Sequence, residues 1–152
     1  DTFRYVLTHQ KQKLVTLREE IEFVKSYYFL LQVRYEYHLK MEINLGQHIL
    51  DTLIPPMTLQ LLVENAVKHN IVSISKPLHI SIFTNKAGEL VVQNNLQCKP
   101  NNSMPSSQKG LVNITSKYAL LRQPQVQIFK KDDIFEVKLP LIDMAVPAGA
   151  VY

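Results

Sequence analysis

Residues 54–70 read IPPMTLQLLVENAVKHN. Two prolines lead into an apolar run, and inside that run stand an acid, three amides, a lysine and a histidine. Drawn on a helix at about 100° per residue, Leu59, Leu62, Val63, Ala66 and Val67 fall on one side. Glu64, Asn65, Lys68 and His69 fall on the other, with Leu61 the one apolar residue among them. The polar groups therefore form a second face beside a core-facing stripe. Asn65, Lys68 and His69 stand at i, i+3 and i+4, a spacing that lets three side chains converge on one ligand. An amide oxygen coordinates a hard cation such as Mg²⁺. A lysine is a point charge suited to phosphate, and a histidine donates to phosphate oxygens or stacks on a base. Such a set suits a Mg²⁺-nucleotide. The same pattern is also what an ordinary surface helix carries, and Glu64 with Lys68 reads equally as an i,i+4 ion pair.

Outward from this stretch, the periodicities place the other elements. Pro55-Pro56 close the preceding loop and start the helix over roughly 56–70, since the first turn tolerates proline. Upstream, Thr16 and Glu19 form a capping-box pattern, and Leu17, Ile21, Val24, Tyr28, Leu31 and Tyr35 recur at helical spacing, predicting a long amphipathic helix over about 16–36. LKMEINL (39–45) alternates as a strand. LHISIFTN (78–85) and ELVVQNN (89–95) read as strands joined by a Lys86-Ala87-Gly88 turn. The polar stretch LQCKPNNSMPSSQK (96–109) has no period and reads as a mobile loop. Gly110 is expected to open a helix over 111–121, and QVQIFKK with IFEVKLPL to form a final hairpin around Asp132-Asp133.

Composition narrows the class. The chain has 152 residues, 46% hydrophobic and 20% charged, which is the make-up of one globular domain with a full core. No apolar run reaches the roughly 18 residues of a membrane span, and no signal peptide is visible. A single cysteine, Cys98, offers no internal disulfide and no metal pattern, and a reducing compartment is the simplest reading. The net charge of +4 suits an anionic ligand; its scattered basic residues do not argue for nucleic acid.

With these readings in hand, the stretch 54–70 resembles the N-box of sensor histidine kinases of the LytS/YehU-like family, with its IPP-x-x-LQ-x-LVENA-x-KH signature. LVTLREEIEFVKSYYFLLQVRY (14–35) is similar to the helix the family carries before its ATP-binding domain. LVVQNN (90–95) lies where its first glycine-box strand belongs, and KGLVNITSKYALL (109–121) resembles its GIGL-x-N-x-x-x-R-Y-x-LL box. The resemblance implies the ATPase fold shared with gyrase, the large heat-shock chaperone and MutL. That fold is an α/β (α+β) two-layer sandwich, with a mixed β-sheet and helices on one face, here preceded by a long helix. The domain plan that follows is a helical segment at 1–37, an ATP-binding domain at 38–142 and a loose tail at 143–152.

The resemblance also implies roles. Asn65 matches the asparagine that holds Mg²⁺ between the ATP phosphates, and Lys68 and His69 match positions lining them. Glu64 would polarise the incoming group or orient water, or else serve as a salt-bridge partner. Asn94 falls at the adenine-reading position, usually aspartate; asparagine is also a common strand-end turn residue. Lys109, Gly110 and Asn113 match the second glycine box, where backbone donors at a helix start meet phosphate, although any helix following a loop begins similarly.

This sequence departs from the family at several points. Gln108-Lys109-Gly110 replaces Gly-Ile-Gly, Lys117 stands where arginine is usual, and no DxGxG follows strand 89–95. None of His9, His38, His48, His69 and His79 lies in an HFLFN-like phosphoacceptor context. The expected reading is a cytoplasmic catalytic fragment of a membrane-anchored, homodimeric two-component kinase. It would bind ATP and Mg²⁺, deliver the γ-phosphoryl to a histidine helix of the same or the partner subunit, and so feed a response regulator. The alternative is a degenerate docking module with weak or no ATP binding.

Overall fold

The computed structural model describes residues 14–100, 105–120 and 125–143, with the backbone alone at 105–109. The polar lead-in 1–13 and all but the first residue of the tail 143–152 lie outside them. In chain order the elements are β1 (Val15–Thr16), α1 (Leu17–Tyr35), β2 (Leu39–Asn44), β3 (Leu53–Ile54), α2 (Thr58–His69), β4 (Leu78–Thr84), β5 (Leu90–Asn95), α3 (Pro105–Leu120), β6 (Gln127–Lys131) and β7 (Ile134–Leu139).

Five strands form one mixed sheet in the order β2-β4-β5-β7-β6, and β1 pairs with β3 in a separate two-stranded ribbon. Only β2 and β4 run parallel, joined by the crossover that contains α2; the remaining pairs are antiparallel. Register divides the sheet into two unlike faces. On one lie Leu39 beside Leu78, Met41 beside Ile80 and Ile43 beside Ile82, continuing through Val92, Leu90, Val137 and Leu139. These residues belong to or pack on the core, together with Leu59, Leu62, Val63, Ala66 and Val67 of α2 and Ile114 and Tyr118 of α3. On the other face lie Lys40, Glu42, His79, Glu136 and Lys138, the last two within 3.9 Å. This is the expected two-layer sandwich. The core extends through α1, because Leu17, Ile21 and Val24 join the same cluster as the sheet, so helix and sheet share one interior across position 37.

The N-terminus of α1 leaves few donors unmet. Thr16 Oγ1 accepts from the Glu19 amide at 3.2 Å, and the Glu19 carboxylate accepts from the Thr16 amide at 3.2 Å, completing the capping box. The Leu17 and Arg18 amides donate to the Thr52 and Leu50 carbonyls. Both hairpins form as expected. In the first, the Asn85 side chain accepts from the Ala87 and Glu89 amides, and Gly88 takes a φ of 81° that a side chain would resist. In the second, Asp132 takes a φ of 54°.

Two expected boundaries are corrected. Helix α2 begins at Thr58, after both prolines, because Met57 adopts a left-handed φ of 69° and turns the chain there. Helix α3 spans Pro105–Leu120, so residues 105–109 are helical rather than part of a loop.

Replacing Thr16 by Ala should cost about 1 kcal/mol of stability, since one capping acceptor is lost. The midpoint of urea unfolding, compared at unchanged slope, measures it.

Candidate functional site

Helix α2 carries the polar set, and its apolar stripe fixes its orientation. Leu59, Leu62, Val63, Ala66 and Val67 are all buried against the sheet and α3. At about 1.5–3 kcal/mol per fully buried leucine or valine, this stripe leaves little freedom for rotation about the helix axis. Glu64 and Asn65 are consequently half-buried and Lys68 is exposed.

Glu64 does not pair with Lys68 among the described residues. It lies near the Tyr27 phenol of α1, whose pKa is raised first by burial and then by the negative charges of Glu64 and Tyr35. The carboxylate thus belongs to the seam between α1 and α2.

His69 departs from the sequence reading. It is 8% exposed and lies under cover, not on the outward face. The chain just after β5 folds over the end of α2: the Lys99 amide donates to the His69 carbonyl at 3.1 Å, and Asn70 bridges to Cys98. Asn70, a residue the sequence reading left without a role, is 3% exposed and joins the two segments. Its Nδ2 donates to the Ala66 carbonyl at 2.9 Å, and its Oδ1 accepts from the Gln97 amide at 2.8 Å. Gln97 in turn donates through Nε2 to the Ile71 and Lys76 carbonyls. The first part of the expected mobile loop is therefore tied down at 96–99. Its middle lies outside the described residues, and its last part is helix.

Asn94 is 5% exposed and sits on the core face of β5, between Ile80 and Phe135 in register. Its Nδ2 donates to the Asn95 carbonyl at 2.8 Å, which leaves Oδ1 as an acceptor on the side of the sheet that α2 covers. This geometry goes beyond a simple strand-end turn residue.

The second glycine box is rearranged. Lys109, Gly110 and Asn113 lie inside α3, several residues beyond its start, so their amides belong to the helix ladder and are not free donors at a helix start. Asn113 is exposed. A Cβ built on Gly110 meets nothing within 4 Å, so no close approach within the described structure requires glycine there. Among the described residues no group of three or more His, Cys, Asp or Glu could hold a metal ion. A cation bound here would take Asn65 as a protein ligand and complete its shell from ligand oxygens and water, which is how Mg²⁺ is commonly held.

Residues 1–39 match the family model for Histidine kinase. The sensor histidine kinase YesM of Bacillus subtilis is 34% identical over 79 residues, covering 52% of this chain and 14% of YesM. The sensor histidine kinase/phosphatase LytS of Staphylococcus aureus is 42% identical over 67 residues, covering 44% of this chain and 12% of LytS.

The chain is similar, over about half its length, to the sensor histidine kinases YesM and LytS.

Its matched segments span 12–14% of these relatives' length. The sheet and helices have the histidine-kinase catalytic-domain fold. The catalytic domain of the histidine kinase ThkA superposes with a TM-score of 0.55 at 12% identity, over 84% of this chain and 93% of that one. The Acinetobacter baumannii histidine kinase AdeS does so with a TM-score of 0.55 at 14% identity, over 93% and 75%. No helix among the described residues is long and apolar enough to cross a membrane.

Gly110→Ala should stabilise the chain by about 0.5–1 kcal/mol, the ordinary gain of alanine over glycine inside a helix. Thermal unfolding tests this, and a loss of stability would show that position 110 is not in open helical backbone.

Proposed function

We propose that this chain is the ATP-binding catalytic part of a two-component sensor histidine kinase. It would deliver the γ-phosphoryl of ATP to a histidine outside the chain, from which a response regulator takes it. The observation that carries this reading is the orientation of α2: its apolar stripe is locked onto the sheet, so that Asn65 and Lys68 are presented together beside a half-buried Glu64. The likeness to YesM and LytS, named as sensor kinases, supports the same reading.

In this proposal Asn65 Oδ1 ligates Mg²⁺, which when bound offsets phosphate charge. Lys68 supplies a further positive charge to the phosphates. Asn94 Oδ1 accepts from the adenine amino group. Glu64, beside α1, faces the incoming acceptor and orients it. Positioning and charge neutralisation carry the transfer, because phosphoryl transfer asks little covalent chemistry of the protein. His69 is buried, so its contribution is to hold the end of α2, and Lys68 takes the phosphate contact. Asn113 would approach the phosphates by side chain, since its backbone is helical. The whole protein would act as a membrane-anchored homodimer with this part in the cytoplasm.

A second reading is favoured by one observation. The helix running through 109–113 removes the backbone cradle, as expected of a docking module that binds ATP weakly or not at all. Calorimetry separates the two readings: a dissociation constant for Mg²⁺-ATP in the micromolar to sub-millimolar range supports the kinase, and no measurable binding supports the module.

Asn65→Ala should weaken Mg²⁺-dependent nucleotide binding about tenfold or more, a loss of about 1.4 kcal/mol, without unfolding the chain. Calorimetry with and without Mg²⁺ reads it, and parental affinity in the variant would remove Asn65 from the site. The chain incubated alone with radiolabelled ATP should form no phosphohistidine; acid-labile label on any of its five histidines would contradict the proposed acceptor.

A further inference from the structure

The turn that starts α2 has no capping side chain of its own. It is held from two other helices. From α1, the Glu20 carboxylate, 1% exposed, accepts from the Met57 amide at 3.0 Å and from the Leu59 amide at 3.2 Å. From α3, the Lys117 ammonium donates to the Pro56 carbonyl at 3.3 Å. Between these contacts Met57 holds its φ of 69°, a conformation that a residue with a side chain keeps only where its surroundings enforce it. Thr58 Oγ1 closes the turn on the Pro55 carbonyl at 2.6 Å. Tyr118, next to Lys117, is close enough to Glu20 for the carboxylate to raise its pKa, an effect second to that of burial. Three helices therefore meet at one backbone turn through opposite charges: the anion takes its amides and the cation takes its carbonyl.

We propose that Glu20 and Lys117 are positioning residues for the nucleotide site. Glu20 sets where α2 begins, and Lys117 makes that setting depend on α3. Asn65 lies less than two helical turns beyond Leu59, so a small displacement of the first turn is transmitted along a stiff ladder to the Asn65 amide. The helix carrying Lys109, Gly110 and Asn113 and the helix carrying Asn65 then shift together and not independently. The inference rests on the nucleotide reading of α2 given above, but its mechanical half does not require a ligand.

The test uses the whole chain with two readouts. Residue-resolved amide exchange measures the latch without ligand, and calorimetry with Mg²⁺ and ATP measures its effect on binding. The variants are Glu20→Gln, which keeps shape and one acceptor, Lys117→Met, which keeps the stem, and Lys117→Arg. Glu20→Gln should speed exchange at Met57 and Leu59 about tenfold or more, because one of the two amides loses its charged acceptor. Lys117→Met should speed exchange over the same turn and weaken Mg²⁺-ATP binding about tenfold, with Lys117→Arg restoring both, since a guanidinium also reaches a single carbonyl. Rescue by arginine is a result that lost packing alone does not give. Unchanged exchange at Met57 and Leu59 in both Glu20→Gln and Lys117→Met overturns the latch. Faster exchange with unchanged affinity overturns the positioning role. A parent chain that binds no Mg²⁺-ATP overturns the nucleotide reading, while the exchange measurements still decide the latch. Should Glu20→Gln fail to fold, the half-buried Lys117 pair carries the same decision.

Discussion

A buried carboxylate that ends on two backbone amides organises this domain. Glu20 leaves water entirely, which costs several kcal/mol for an ion unless strong partners meet it. The Met57 and Leu59 amides meet it at hydrogen-bonding distance. They are also donors that the start of a helix otherwise leaves unmet. Each side of the contact therefore offsets the other's penalty. The rest follows from where that contact places α2: its apolar stripe joins the core cluster that holds Ile80, Ile82 and Val92 of the sheet.

How much of this was legible in the sequence depends on how far each signal reaches. Signals that act within a few residues were readable. The Thr16–Glu19 capping box, the alternation in β2, β4 and β5, and the Asn85–Gly88 hairpin are all written in neighbouring residues. The five apolar positions of α2 were readable because burial is decided by period. His69 was misplaced for the complementary reason: a helical wheel shows which side a residue faces, and what covers that side arrives from residues 97–99, nearly thirty positions on. Asn70 and Glu20 escaped notice on the same ground, since both act across long sequence separations on backbone atoms. The helical state of 105–109 was missed because a stretch of proline, serine and glutamine reads as a loop.

The site residues divide along the same line. Asn65 and Lys68 were singled out as candidates by spacing and resemblance, and the packing of α2 leaves Asn65 half-buried and Lys68 exposed. Asn94 was singled out as a candidate by position alone, and its bond from Nδ2 to the Asn95 carbonyl is visible only in the structure. Lys109, Gly110 and Asn113 were assigned to a backbone cradle that their helix does not provide. A motif fixes which residue types are present, and the conformation of the chain decides whether side chains or amides are on offer.

Strand β6 lies at the rim of the sheet with all five residues exposed, and among the described residues one side of its backbone has no strand to pair with. An open rim of this kind is a template for joining another sheet. Lys130 and Lys131 end the strand, and the Lys138 ammonium from β7 sits 4.8 Å from the centre of the Phe129 ring, covering the largest apolar group on that rim. A second copy brought alongside would have to set these cations against its own and strip water from them. The protein thereby protects itself against fibril-like stacking through charge placement, so neutralising these lysines should make it sticky well before it makes it unstable.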